Sequence, residues 1–136
     1  MNPLIKNILA IVLGIIIGSA VNMALIMLGH TIIPPPAGFD PMDMDSLVAN
    51  MHLFENKHFV FPFLAHALGT LVGAAAAVKV STNGQMSFAL AIAVFFLAGG
   101  IYNAFALPGP GWFNALDLVL AYIPMGWLGY KIIQRK

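Results

Sequence analysis

"FPFLAHALGTLVGAAAAV", residues 61–78, decides how this chain is read. Only His66 and Thr70 break its run of apolar and small residues. Eighteen helical residues rise about 27 Å, close to the roughly 30 Å of a bilayer core. Pro62 falls in the first turn, where a proline costs a helix little. Ala65, Gly69, Gly73 and Ala77 recur at every fourth position. Helices in lipid associate by close packing, and such stripes of small residues form their contact faces. The stretch therefore predicts a membrane-spanning helix, from about 59 to 78, that packs against another helix. His66 stands beside its stripe, and a histidine is expensive in lipid.

The rest of the chain agrees with this class. Of 136 residues, 60% are hydrophobic and 8% charged, and the mean hydropathy is +0.90. A soluble domain of this length needs a charged surface that these residues do not supply. A net charge of +1 gives no basic patch or stripe for nucleic acid. With no cysteine, disulfides, thiolate metal sites and cysteine nucleophiles are excluded.

Three further spans are expected, at about 4–28, 86–107 and 112–130. The apolar run of the first continues through "VNMALIML", too long for a cleaved leader, so it reads as a retained helix. "IIPPPAGFDP" ends it, because successive prolines cannot continue a helix. "STNGQ" and "LPGPGW" are the short connections between the later spans and make neighbours antiparallel. The expected fold is all-α: a single domain, 1–136, forming an integral membrane four-helix bundle. No internal repeat is evident. Between the first two spans, the outer segment 31–58 is expected to carry a short amphipathic helix. Asp43, Asp45 or Ser46 would cap it, and Leu47, Met51 and Phe54 would share one face.

Charge sets the orientation. Lys6, Lys79, Lys131, Arg135 and Lys136 fall on the side of both termini, and Asp40, Asp43, Asp45, Glu55 and Lys57 on the other. Positive residues stay inside, which makes both termini cytoplasmic in a cell membrane.

Each span brings one strongly polar side chain near its stripe. Asn22 follows Gly18 by four residues, Asn103 follows Gly99 and Gly100, and Asp117 precedes Ala121 by four. His66 and Asp117 lie roughly 7–11 Å below the outer boundary at 1.5 Å per residue. Asn103 and Tyr102 approach that level from below, and His30 and His58 lie at the rim. Asp117 is the one acid inside a span, at an insertion cost of about 2.5–3.5 kcal/mol, and needs a partner. His66 is the best placed, and the pair would hold one exchangeable proton. Pro124 frees the carbonyl of Leu120 and is expected to kink the fourth span.

Several functions fit these residues. Asn22, His66, Asn103 and Asp117 can fix packing by bonding across helices. They can also bind or pass a small polar solute or ion, with a proton linked to it, and this is the leading reading. No cofactor fingerprint and no metal-ligand spacing are present, although His30, His52, His58 and His66 all fall toward the outer end. Ser46 lacks the Gly-x-Ser-x-Gly context of a nucleophile elbow, so an enzyme acting on lipids or quinones remains an alternative without a motif. An accessory subunit is a further alternative, and the small-residue faces would equally serve a homo-oligomer. The bilayer is the one partner the composition requires.

The runs "IIPPPAGFDPMDMDSL", "MHLFENKHFVFPFLAHALGTLVGA" and "AYIPMGWLG" resemble a group of small bacterial membrane proteins of unassigned function. The resemblance covers most of the chain and implies a bacterial inner-membrane protein of four helices, with no activity attached. Small multidrug transporters and fluoride channels share the helix number but not the residues, since the first span here has no glutamate. One distance separates the functional from the structural reading. A His66–Asp117 hydrogen bond opening onto a cavity makes the histidine functional, and separate dry contacts make it a packing residue.

Overall fold

The computed structural model describes residues 1–135, and these are helical with no strand. Four helical stretches are long and apolar enough to cross a membrane: Pro3–Ile32, Asn56–Val80, Met86–Ala106 and Gly111–Gln134. The first is α1 (Pro3–Ile32), started by Asn2, whose side chain accepts from the Leu4 N–H at 2.8 Å. It runs four residues past the expected Leu28 and stops before the prolines at 34–36.

The outer segment holds α2 (Met44–Asn50), shorter than a full amphipathic helix, followed by a 3₁₀ turn at Met51–Leu53. Asp43 is the cap, accepting from the Ser46 N–H at 3.0 Å. A second 3₁₀ turn, Asn56–Phe59, leads into α3 (Val60–Val80). Here His58 acts as a latch. Its Nδ1 accepts from the Glu55 N–H at 2.9 Å, so the proton is on Nε2, which donates to the Pro34 carbonyl at 3.1 Å. Phe59 packs at a tilt against Phe113, with centroids 4.8 Å apart, and meets Trp112 edge-on at 5.8 Å, tying the segment to the start of the last span.

α3 is the central element and packs on α1, α4 (Met86–Ala106) and α6 (Ile123–Gln134). Its junction with α1 is made of backbone. A Cβ on Gly73 would lie 2.6 Å from the Gly14 carbonyl, and one on Gly18 would lie 2.7 Å from the Gly69 carbonyl. Only glycine permits that approach. Gly126 and Gly129 seat α6 in the same way, against Ala93 and the Leu71 carbonyl. The small-residue stripes thus face one another within one chain. Ala74, Ala77, Val78, Ala89 and Ile92 fill this half with a dry core, none more than 1% exposed.

Both termini and the 81–85 turn meet at one end. Asn7 Oδ1 accepts from the Thr82 N–H at 2.9 Å, and Gln134 Nε2 donates to the Gly84 carbonyl at 2.9 Å. The 31–58 segment covers the other end.

The fourth span departs from expectation. Instead of a kinked helix over 112–130, it is two helices, α5 (Gly111–Leu120) and α6, separated at Ala121 and Tyr122. Pro124 has no N–H for the Leu120 carbonyl and its ring crowds that carbonyl. The chain relieves this with a full break, at which Tyr122 takes φ −117°, ψ −79°.

Candidate functional site

The break in the fourth span builds the site. On a continuous helix, residues five apart point about 140° away from each other. Because the helix stops at Leu120, Tyr122 folds back, and its hydroxyl donates to Asp117 Oδ2 at 2.9 Å. Its ring occupies the place where Gly100 of α4 has no side chain. The other carboxylate oxygen, Oδ1, accepts from His66 Nδ1 on α3 at 2.8 Å. The His66 and Tyr122 rings stack with centroids 5.9 Å apart. α3, α5 and the break between α5 and α6 are thus joined at one carboxylate that is only 4% exposed. A buried acid needs such partners, and both of its oxygens have one.

His66 is held in one orientation by this bond. With Nδ1–H donated to Asp117, Nε2 is left without a partner among the described residues. The imidazole lines a cavity of about 270 Å³ under the outer segment. Nε2 accepts a hydrogen bond when the ring is neutral and donates one when it is protonated. The ring is thus oriented and backed by a carboxylate, with one nitrogen free to meet a ligand.

The cavity draws on every helix of the outer half. Asn22 comes from α1, Asn103 from α4 and Asn114 from α5. None of these three carboxamides bonds to another described residue through its side chain, so they are not rivets between helices. The upper wall is apolar, with Met44, Leu47, Met51, Phe54 and Phe61. The expected face of Leu47, Met51 and Phe54 therefore covers the cavity.

Of the residues singled out from sequence, Asn22, His66, Asn103 and Asp117 line this one cavity, with His30 and His58 toward its rim. Tyr102 does not join them. It is 68% exposed on the outside of α4, because one residue before Asn103 means roughly 100° around the helix. Tyr122 and Asn114 were missed. Asn114 had a usable signal, lying three residues before Asp117 on the same face. Tyr122 had none without the break. No group of three or more His, Asp or Glu side chains among the described residues is placed to hold a metal ion.

Compared with known proteins, the chain matches no family model, no curated protein and no solved structure. Its function has to be read from the site itself.

Proposed function

We propose that this is a multi-pass protein of a bacterial inner membrane that binds a small polar group in the His66–Asp117 cavity. Two features support the membrane. The most hydrophobic window of α1 has a mean hydropathy of 2.5 and is only 11% buried. A helix so apolar and so uncovered needs an apolar solvent. The end with both termini carries Lys6, Lys79, Lys131 and Arg135, and the retention of positive residues inside supports a cytoplasmic side there, with residues 31–58 outside. No cysteine occurs in the chain, so single cysteines report topology cleanly. A membrane-impermeant maleimide applied to intact spheroplasts should label Asp45→Cys and spare Asn83→Cys. The reverse pattern would invert the protein, and labelling of both would remove the membrane reading.

One observation carries the binding reading. Three carboxamides and His66 Nε2 surround a single cavity with no protein partners. Polar groups in apolar surroundings are costly unless hydrogen-bonded, so this lining requires water or a ligand. An interhelical packing role would have paired the asparagines with each other, and they are not paired.

Binding is better supported than passage. Beneath the cavity the helices close on the Gly14–Gly73 and Gly18–Gly69 contacts. A route through one copy would have to separate α1 from α3. Passage therefore needs a second conformation, whereas binding needs none. Asp117 accepts from both His66 Nδ1–H and the Tyr122 hydroxyl, which keeps His66 Nε2 turned toward an entering ligand. An assembly of several copies would use faces other than the stripes already packed inside the chain.

Thermal unfolding in detergent tests this reading with glycerol, acetamide, ammonium and potassium ions as probes. At least one should raise the melting temperature of the wild type and not that of an Asn22→Ala, Asn103→Ala double variant. Identical responses of the two proteins to every probe would leave the asparagines without a binding role.

A further inference from the structure

We propose that the polar group bound in this cavity is the uncharged, hydroxyl-bearing head of a single-chain amphiphile. It enters sideways from the bilayer between α1 and α4. The inference rests on the reading that the His66–Asp117 cavity binds a polar group, and it names the class of ligand and its route.

A second cavity, of about 120 Å³, adjoins the first and shares Asn22, His66, Gly100 and Asn103 with it. It lies about one helical turn deeper and is a cleft rather than a chamber. Its floor is α3, at Gly69 and Thr70. Its sides are α1 and α4, which lie close to α3 but touch each other little. Ser19 of α1 and Gly99 of α4 form its lips, and both are exposed on the face that the bilayer would cover.

Two details mark the cleft as a place for a ligand. Gly99 is unlike the other small residues of the stripes. A Cβ built on it meets nothing within 4 Å, so packing does not require glycine there. Thr70 is fully buried on the cleft wall, and its Oγ1 has no hydrogen-bond partner. A helical threonine commonly satisfies its hydroxyl on the carbonyl four residues back, which here is that of His66. This one does not, and a buried hydroxyl without a partner is a standing cost that a bound polar atom removes.

The chemistry of the head follows from the groups around it. Asn22, Asn103 and Asn114 offer donors and acceptors, and the free His66 Nε2 is an acceptor when the ring is neutral. A hydroxyl can donate to Nε2 and accept from the amides. An anionic head would sit just across the imidazole from the Asp117 carboxylate and be repelled by it, and Lys57 of the lining is already paired with Glu55 at 3.7 Å. The chain attached to the head would then lie over Gly99 and beside Phe96, leaving between α1 and α4 toward the acyl chains.

The test is equilibrium binding of tritiated 1-lauroylglycerol to the purified full chain in detergent, read by scintillation proximity. Saturable binding of one molecule per chain is expected. Unlabelled laurate should compete at least tenfold more weakly, and glycerol should not compete. Gly99→Leu adds a side chain at the lip of the cleft, where a Cβ meets nothing within 4 Å, and should weaken binding tenfold or more while leaving the melting temperature in place. Thr70→Val keeps the shape and removes the hydroxyl, and should raise the melting temperature while weakening binding. His66→Ala should abolish binding.

The failures are distinguishable. If Gly99→Leu binds as the wild type does and His66→Ala does not bind, the cavity reading stands and the lateral route is overturned. If glycerol competes fully, the ligand is a solute from water, and the amphiphile is overturned. If lauroylglycerol does not bind saturably, or binds equally to His66→Ala, the proposal falls; the cavity reading falls with it only if the solute probes also fail. If the purified chain is oligomeric and Gly99→Leu dissociates it, the cleft is a subunit contact and not a ligand route.

Discussion

Below His66, α1 and α3 touch backbone to backbone; above it they meet through the Phe61 side chain seated on Gly29, beside a cavity. The two halves use similar residues. In the inner half Gly14, Gly18, Gly69 and Gly73 remove side chains so that α1 and α3 can meet. In the outer half, Gly100 removes a side chain so that Tyr122 can enter, and at Gly99 the vacated space is left open. A small residue therefore does one of three things in this protein: it admits a backbone, admits a ring or preserves a void. What surrounds it in three dimensions decides which. The polar residues follow the same division. The inner core holds no charged side chain, and the one acid within the spans sits where the helices have separated.

Substitutions can break this contrast. The largest effect is expected from Gly73→Leu, whose Cβ would meet the Gly14 carbonyl at 2.6 Å. A side chain cannot fit there without prising α1 from α3. Overpacking commonly costs 1–3 kcal/mol, and a backbone collision should reach or exceed the upper end, roughly 3 kcal/mol or more. Loss of folded protein on size exclusion, or a large fall in melting temperature, would show it. A variant that melts like the wild type would mean that this junction is not a tight contact.

Asp117→Ala comes next. It strips acceptors from both His66 Nδ1 and Tyr122 Oη. Each orphaned donor costs about 1–3 kcal/mol, and His66 recovers part of that from the cavity, so roughly 2–4 kcal/mol is expected. Asp117→Asn keeps the shape and an acceptor oxygen. It should cost less stability than alanine and weaken ligand binding more than folding, because the amide no longer fixes the His66 ring as a carboxylate does. Equal losses of stability from both substitutions, with unchanged ligand binding, would reduce Asp117 to a packing residue.

Tyr122→Phe removes one bond and leaves the ring over Gly100. About 1–2 kcal/mol is expected. If the variant shows no loss in chemical denaturation, the break in the fourth span is held by ring packing alone.

His58→Ala opens the latch between Glu55 and Pro34. Around 1 kcal/mol or less is expected, because both bonds lie near the surface. The informative readout is hydrogen exchange, which should rise over residues 34–58 and not over α3. Smallest of all is Gly99→Leu, within about 0.5 kcal/mol of the wild type, since no neighbour is met. Gly73→Leu and Gly99→Leu make the same chemical change on stripes of similar sequence. If they destabilise equally, the difference between the two halves is not real.

Much of the fold is legible along the chain. A span needs only a run of apolar residues long enough to cross a bilayer, and that is a local property. The third span is expected at about 86–107 and found at Met86–Ala106. Helix periodicity carries the convergence of Asn22, His66, Asn103 and Asp117, because depth and facing stripe follow from spacing. Azimuth is less secure. Tyr102 has the right depth but faces outward, because one residue of separation from Asn103 turns it about 100° around the helix. The short α2 is legible through its Asp43 cap, whereas the Asn56–Phe59 turn depends on His58, a contact that no pattern of apolar residues encodes.

Composition and periodicity alone determined the all-helical class, the four apolar stretches, the stripes of small residues and the polar residue beside each stripe. These follow from the cost of polar groups in an apolar medium, which acts on each stretch separately. Only the tertiary structure decided which glycines touch and which leave space, that Pro124 breaks the helix outright, and that the break turns Tyr122 back onto Asp117. Those outcomes depend on contacts between residues far apart in the chain, 51 positions for His66 and Asp117 and 59 for Gly14 and Gly73. Sequence spacing measures distance along a helix, whereas a cavity is defined by the helices that fail to meet around it.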